Sequence, residues 1–504
     1  MQGKVKFVSF YVWIFLCIIG AIFIMVACGG GGGGGGIIGG GDGGGGGGGG
    51  GGQSSSINFQ INSTQGAWII ISIKQNSIQT SQYSFDFSNP NPNILANISD
   101  PDNNESQFYG CGFRPTRKSG NQNILYSQTP PNFDEERNFT VNKNMPNEAQ
   151  VIAKCRYISS NPDFAIWVDL QDFNLGYVNQ TMINSLGARF INDYQTLVNR
   201  LGYTPPFYVD ILITRKVDDQ PNPRIIGYFY AAEDIERINV HPATFYMVYQ
   251  GQNGQYNEAH VTTVHEFVHL LSYHASSVGN KEVWIEEGLS TYGEEICGYL
   301  SGVRNRSIIQ FLSSPHQTPL VVDHQTIEVR NYGKSYLFVK NLEQRFNNAW
   351  RNMMRSSVDG INMIENINGN EDFMTTVEVF NTAVILDIQN HPHFGFDGID
   401  LNSIDRNQDG IGNDKGVFKF DEVDNNGFKD RTLRQMQNFD IIERYTSFYI
   451  YRTSAPFSGM VTLDVFANIS LTNLNTNFSP FNTLANYTFT RIDSPPAVIT
   501  VVYR

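Results

Sequence analysis

One H-E-x-x-H stretch, His265-Glu266-Phe267-Val268-His269, has the residue types and the spacing of a metal site. The stretch lies in an apolar run that is compatible with a helix, and residues four apart on a helix share one face. Both imidazoles could therefore reach a single Zn²⁺ at about 2.0–2.1 Å each. Glu266 could face a metal-bound water and act as the general base that takes its proton. Two histidines on a helix can equally be hydrogen-bonded core residues, so the pentapeptide alone leaves both interpretations open.

A second stretch, the glutamate-rich segment 284–295, could complete the site. A catalytic zinc has three protein ligands and one open position, and we expect Glu287 to be the third ligand, carried by a second helix packed against the first. Glu294 lies seven residues further on, along the same face, where it could hydrogen-bond the distal nitrogen of a ligating histidine. The alternative is a solvated acidic helix face, but Trp284 and Leu289 give the segment an apolar side.

The order H-E-F-V-H, seventeen residues, then E-G-L-S-T-Y-G-E resembles the gluzincin pattern of zinc peptidases. Within that clan it is similar to the hyicolysin-type neutral metalloproteases and, more distantly, to the aminopeptidase N and leukotriene A4 hydrolase group, over roughly residues 190–345. The resemblance implies an α+β fold with a thermolysin-like catalytic domain, in which a β-sheet lobe and a helical lobe surround the H-E-x-x-H helix. The layout H-E-x-x-H-x-x-G-x-x-H is absent, because Ser272 and Ala275 occupy the places of its glycine and third histidine.

The resemblance also implies an oxyanion-stabilising residue. The segment 331–336 opens a predicted amphipathic helix, 332–346, and is similar to the Y-x-K-G-type segment of the aminopeptidase relatives. By that similarity the Tyr332 hydroxyl donates a hydrogen bond to the tetrahedral oxyanion, with Tyr336 as the alternative. Such a donor contributes about 2.7–4 kcal/mol to transition-state stabilisation. The order here is Gly333-Lys334, which departs from the lysine–glycine order of the relatives.

The start of the chain has the composition of an export signal. Two lysines precede an apolar run that ends at Ala27, and Cys28 follows it. We expect residues 1–27 to be a lipoprotein signal peptide and Cys28 to be lipidated, although the apolar run is also long enough to span a bilayer uncleaved. Residues 28–52 then consist of the lipidated cysteine and a glycine-rich tether that reaches about 25–30 Å. Both alternatives predict an exported, membrane-anchored protein, here a bacterial lipoprotein at the cell surface or in the periplasm.

The rest of the chain is too long for a single hydrophobic core. We expect three folded parts, which are a β-rich N-terminal domain at 53–185, a zinc metalloprotease domain at 186–439 and a small C-terminal β-domain at 440–504. The N-terminal part is either an accessory module or a retained pro-region. Alternation of apolar and polar residues indicates the strands of both terminal parts.

Three strand-like runs precede the H-E-x-x-H helix, at 207–213, 225–229 and 244–249. The resemblance implies that the strand at 244–249 is the sheet edge on which an extended peptide lies. Such an edge binds peptide backbone by strand addition, independently of sequence. The aminopeptidase group carries a Gly-Ala-Met-Glu-Asn stretch near this place to hold a free amino terminus, and its absence here favours internal cleavage.

The cysteines add one structural prediction. Cys111 and Cys155 could form a disulfide in an exported protein. Cys297, just past the glutamate-rich segment, would then be a free buried thiol.

A second cation site is predicted near the C-terminal part. Asp405, Asn407, Asp409 and the following Gly410 match the first half of an EF-hand loop. The twelfth place is Gly416 rather than a bidentate glutamate, so Ca²⁺ binding and a solvated Asx-turn loop both remain open.

Charge and motifs together limit the function. The net charge of −13 argues against nucleic acid as a partner, because phosphates need a basic surface. The sequence therefore predicts a monomeric extracytoplasmic metalloendopeptidase with one catalytic Zn²⁺ that acts on protein or peptide substrates. The alternatives are a non-enzymatic surface adhesin on the same scaffold and, third, an aminopeptidase.

Overall fold

The computed structural model describes residues 130–401, with gaps at 143–147, 162, 220–224, 233–234, 252–253, 280, 300–301, 314–317, 323–326, 368, 370, 389 and 400. Outside that range it describes the strands at 54–63, 67–73, 84–88, 110–111, 448–452, 457–466, 474–475, 488–494 and 497–503. The export and lipidation predictions (1–27 and Cys28), the glycine segment and the calcium residues Asp405, Asn407 and Asp409 lie outside the described residues. Among the described residues, no helix combines the length and the apolar character needed to cross a membrane.

The described chain is a mixture of helices and strands, which agrees with the predicted α+β class. The strands are β1 Ser54–Ser63, β2 Ala67–Ile73, β3 Ser84–Ser88, β4 Gly110–Cys111, β5 Glu136–Val141, β6 Ala149–Ile158, β7 Phe164–Asp169, β8 Val209–Ile213, β9 Ile225–Ala232, β10 Ile235–Val240, β11 Val248–Gly251, β12 Gly254–Asn257, β13 Phe448–Arg452, β14 Phe457–Phe466, β15 Leu474–Asn475, β16 Thr488–Ser494 and β17 Ala497–Tyr503. The helices are α1 Leu170–Asn174, α2 Gln180–Leu201, α3 Glu258–Ala275, α4 Val283–Ile296, α5 Gly302–Ser313, α6 Val329–Arg345, α7 Ala349–Met354, α8 Gly360–Ile367 and α9 Phe373–Leu386.

A seven-stranded mixed sheet, in the order β4-β9-β10-β8-β7-β6-β5, supports the central helices. Strands β7, β8 and β10 run parallel, and β9 pairs antiparallel with β10. β7 is buried along its whole length, as expected for a continuous apolar run in the parallel part of a sheet. Helices α2 and α3 share the core on one face, where the rings of Phe190 and Phe267 meet edge to face at 5.3 Å. A second apolar cluster around Trp167 and Leu212 covers the other face.

Local signals explain where the two helices of this layer begin. The side chain of Asn179 accepts a hydrogen bond from the Met182 amide and so caps α2. α2 ends next to Gly202, which adopts the left-handed conformation that favours glycine at a helix end. At the start of α3, the His260 ring accepts a hydrogen bond from the Asn257 amide, so this histidine serves the cap.

The strand beside α3 at this end of the sheet is β9. Among the described strands only the two residues of β4 pair with its outer side, at Ile225 and Gly227, so β9 is an edge strand from Tyr228 onwards. The prediction of an edge strand at 244–249 is wrong. Residues Pro242–Tyr246 form a 3-10 turn, and β11 pairs with β12 in a separate two-stranded hairpin. The aromatic run favours a strand, but Pro242 and the preceding His241, whose ring accepts from the Ala243 amide, stabilise the turn.

The predicted Cys111–Cys155 disulfide is also wrong. Cys111 lies in β4 at one edge of the sheet, and Cys155 lies in β6, with four strands between them. Strand spacing puts the two backbones about 24 Å apart, whereas a disulfide needs Cα atoms about 4.4–6.8 Å apart. Cys155 has a buried free thiol, and Cys297 is free, as predicted, but only partly buried.

Strands from the two ends of the chain pair with each other. β1 and β3 flank β14 in one antiparallel sheet, and β2 lies between β13 and β17 in another. The seven-stranded sheet, in turn, combines β4–β7 with β8–β10. The sheets therefore cross the predicted boundaries at 185/186 and 439/440. Alternation along the chain reveals strands but does not identify partners that are hundreds of residues away.

Helices α3 and α4 pack closely because a glycine lies at their contact. A Cβ atom added to Gly293 would overlap the Cγ2 atom of Val268. The backbone of α4 therefore lies against a side chain of α3, one residue before Glu294. A larger residue here would push α4 away from the histidine-bearing helix.

We expect Gly293→Ala to lower the free energy of unfolding by about 1 kcal/mol. Alanine favours a helix by roughly 1 kcal/mol over glycine, but overpacking costs about 1–3 kcal/mol. Urea unfolding of Gly293→Ala, Val268→Ala and the double variant measures the coupling. The double variant should be less destabilised than the sum of the single changes. Simple additivity would show that these two side chains do not compete for space.

Candidate metal centre

Helix α3 presents two buried imidazoles, one turn apart, towards α4. The ring centroids of His265 and His269 are 4.9 Å apart. Both side chains are buried in the helix layer that covers the sheet. Their i, i+4 spacing puts them on one face of the helix, and that face meets α4.

Helix α4 places one carboxylate against both imidazoles. The Oε2 atom of Glu287 lies 3.0 Å from Nε2 of His265 and 3.6 Å from Nε2 of His269. Ligand atoms of the three residues lie within 4.8 Å of one another. Two donors at about 2.0–2.1 Å from a tetrahedral ion are roughly 3.3 Å apart, so the three side chains could hold one metal ion without moving far.

The outer nitrogen of each imidazole also has a partner on α4. Nδ1 of His265 lies 2.8 Å from Oε1 of Glu294, and Nδ1 of His269 lies 3.1 Å from Oγ of Ser290 and 3.4 Å from Oε2 of Glu286. A carboxylate only accepts, so each Nδ1–H donates. While the rings are protonated, Nε2–H of each faces the Glu287 carboxylate. If a metal ion displaced those protons, the Nδ1 hydrogen bonds would keep each Nε2 turned towards Glu287, which is the arrangement seen around ligating histidines.

Helical periodicity explains why one helix supplies all these partners. Glu287 and Glu294 are seven residues apart, which brings them to the same side of α4 after two turns. Glu286 and Ser290 are one turn apart on the adjoining strip. The predicted site residues His265, His269, Glu287 and Glu294 are therefore brought together by two helices in contact.

Sequence reasoning missed a buried polar group behind His269. Glu286 accepts hydrogen bonds from the Ser272 hydroxyl and the Lys281 amide, and its carboxylate lies 3.6 Å from Nζ of Lys281. Lys281 Nζ also donates to Oγ of Ser272. The only signal in the sequence is the pair of adjacent glutamates, which does not say that both are buried.

The electrostatics of the centre suit a divalent cation. Burial alone would lower the pKa of His269, but the Glu287 carboxylate outweighs it and raises the pKa to about 9. Burial also opposes ionisation of Glu287, yet the facing imidazoles hold the pKa of this carboxyl at about 2. The positive charge of the protonated rings thus balances the negative charge of the buried carboxylates. A metal ion that displaced the ring protons would neutralise the same carboxylates.

Glu266 lies on α3 against the edge strand of the sheet. It is buried, and a Cβ atom added to Gly227 of β9 would lie 3.3 Å from its Oε1 atom and overlap Thr262. The backbone of β9 can therefore approach this carboxylate closely only because residue 227 is glycine. The arrangement puts the acidic side chain between the histidine-bearing helix and the sheet edge.

The two tyrosines considered for oxyanion binding have different surroundings. The ring of Tyr332 stacks on the His265 ring, with centroids 6.5 Å apart. Tyr336 is fully buried and its hydroxyl donates to Oε2 of Glu295 at 2.6 Å. Tyr332 is thus at the metal centre, whereas Tyr336 serves an ion-paired carboxylate on another side of α4, where Lys340 also binds Glu295.

Two other histidines of α3 have structural surroundings. His260 caps α3, and the His274 ring meets Phe207 edge to face at 4.7 Å.

Comparison with known proteins identifies no relative. No protein-family profile matches the chain, and no curated protein has a similar sequence. What the centre does must therefore be argued from its own atoms.

We expect Glu294→Gln to weaken Zn²⁺ binding by about 10–100-fold, because a carboxylate behind a ligating histidine orients the ring and raises its basicity. Competition with a chromogenic chelator measures the affinity. Glu295→Gln is the matched control, since this neighbour binds Tyr336 and Lys340 rather than a histidine. Equal affinities for the two variants would contradict the assigned role of Glu294.

Proposed function

We propose that this protein is a zinc-dependent metalloendopeptidase of the gluzincin type. The observation that carries the proposal is the convergence of His265 Nε2, His269 Nε2 and a Glu287 oxygen, with each Nδ1 held by a group of α4. The mixed sheet, in which β9 runs antiparallel to β10 beside α3, supports the same fold type.

The donor set favours zinc. Two imidazole nitrogens and one carboxylate oxygen are ligands typical of catalytic zinc, with a fourth position left for water or substrate. When bound, Zn²⁺ would polarise the scissile carbonyl and lower the pKa of water towards 7.

Glu266 is the proposed general base. It follows a ligating histidine on α3, and its Oε1 atom lies near Gly227 of β9. Its carboxylate would take a proton from the attacking water and pass it to the leaving amine nitrogen.

Tyr332 is the proposed oxyanion donor. Its ring stacks on the ring of His265. Of the two candidate tyrosines it is therefore the one in contact with a proposed metal ligand. The hydroxyl would donate a hydrogen bond to the oxygen that gains charge in the transition state.

The substrate would be an extended segment of a protein, bound along β9. An edge strand binds any peptide backbone, and the missing aminopeptidase stretch favours internal cleavage. As part of the same proposal the enzyme is exported, and lipidated Cys28 and the glycine tether hold it at a membrane surface.

Glu266→Gln should abolish casein cleavage while leaving zinc bound. Loss of a general base typically slows a reaction by about 10²–10⁴, and Glu266 is not one of the three ligands. Casein turnover and zinc content per chain are measured on the same preparation. Retained turnover with full zinc would remove Glu266 from the mechanism, whereas a chain without zinc and without cleavage would end the proposal itself.

Tyr332→Phe should lower kcat by about 10²–10³, the loss seen when one oxyanion donor is removed. KM should change little, because the donor acts mainly in the transition state. Tyr336→Phe is the control, since its hydroxyl serves Glu295. The assignment fails if both variants lose kcat to the same extent.

A further inference from the structure

The short strand β4 lies at the end of the sheet next to β9, the strand whose Gly227 packs against α3. It pairs parallel with β9, and Gly110 is opposite Ile225 while Cys111 is opposite Gly227. β4 is the outermost strand of the sheet on this side. A segment that precedes the metal-binding helices by about 150 residues thus reaches the edge strand beside them.

Gly227 connects this pairing to the chemistry. Cys111 pairs with Gly227. Because Gly227 has no Cβ atom, there is room beside it for Thr262 and for the Oε1 atom of Glu266. Paired residues on neighbouring strands have Cα atoms about 5 Å apart. The backbone of β4 is therefore one strand away from the point where β9 meets the proposed general base.

A peptide substrate and β4 would need the same groups of β9. Strand addition uses the outward N–H and C=O groups of an edge strand, and β4 already uses those near Gly227. β4 belongs to the same chain, so its effective concentration at the edge is on the order of millimolar. A substrate would bind only in the fraction of molecules in which β4 has left.

We propose that β4 occupies the substrate strand's place on β9, so that the full chain is autoinhibited until this segment is displaced. The inference rests on the proposed peptidase function. It assigns the region before residue 130 a regulatory role, which fits the pro-region alternative raised by the sequence. Backbone pairing carries the inhibition, so the chemical nature of side chain 111 matters little.

The test uses the full chain with Glu266→Gln, loaded with zinc, so that no cleavage disturbs the measurement. The double substitution Gly110→Pro with Cys111→Pro removes both backbone N–H donors of β4, so this segment can no longer pair with β9 as a strand. Hydrogen exchange at residues 225–228 should become faster, and fluorescein-labelled casein should bind about tenfold more tightly if one molecule in ten is open in the parent chain.

Two controls identify the cause. Asn121→Pro with Gln122→Pro, ten residues further along, should leave both exchange and casein affinity at the parent level. Cys111→Ser keeps a residue able to pair and should also leave them unchanged. Unchanged exchange and affinity in the β4 double-proline variant would overturn the inference, as would tighter binding caused by Cys111→Ser alone. Failure of the zinc-loaded β4 double-proline variant with Glu266 intact to cleave casein would instead overturn the proposed function, since binding and exchange are measured without cleavage.

Discussion

The site depends on the contact between the histidine face of α3 and the glutamate face of α4 in the core. Charged groups are costly to bury unless each has a partner. Here His265 lies between Glu287 and Glu294, and Glu286 lies within 3.6 Å of Lys281. Separating such partners in the interior is strongly unfavourable. This cost opposes any shift of α4 along α3, and so it holds the three candidate ligand atoms together in the protein.

The sheet contributes the other half of the arrangement, because it fixes what can approach Glu266. β9 is held by β10 on its inner side, and Gly227 lets it pack directly against α3. On its outer side β9 pairs with β4 at Ile225 and Gly227, and the rest of that side can pair with any suitable strand. A site beside such an edge thus gains a general way to bind peptide backbone, and here the chain's own β4 fills part of that place.

Much of the centre could be predicted from short-range spacing. His265 and His269 are four apart, and Glu287 and Glu294 are seven apart, so helical geometry alone brings each pair onto one face. The role of Glu286 could not be predicted, because its partner Lys281 and its burial depend on how the two helices pack. The place of Tyr332 came from a resemblance, and only the fold puts its ring on His265.

The sequence by itself determined the helices around the motif and the presence of strands, because periodicity and caps act over a few residues. The α+β class was implied by a resemblance and agrees with the mixture of helices and strands. Only the tertiary structure decided that β9 rather than 244–249 lies at the sheet edge beside α3, that Cys111 and Cys155 lie far apart, and that strands from the two chain ends pair. Each of these depends on which strands are neighbours. A strand offers the same backbone hydrogen bonds to every partner, so its neighbours are chosen by packing across the whole chain and not by any local pattern of residues.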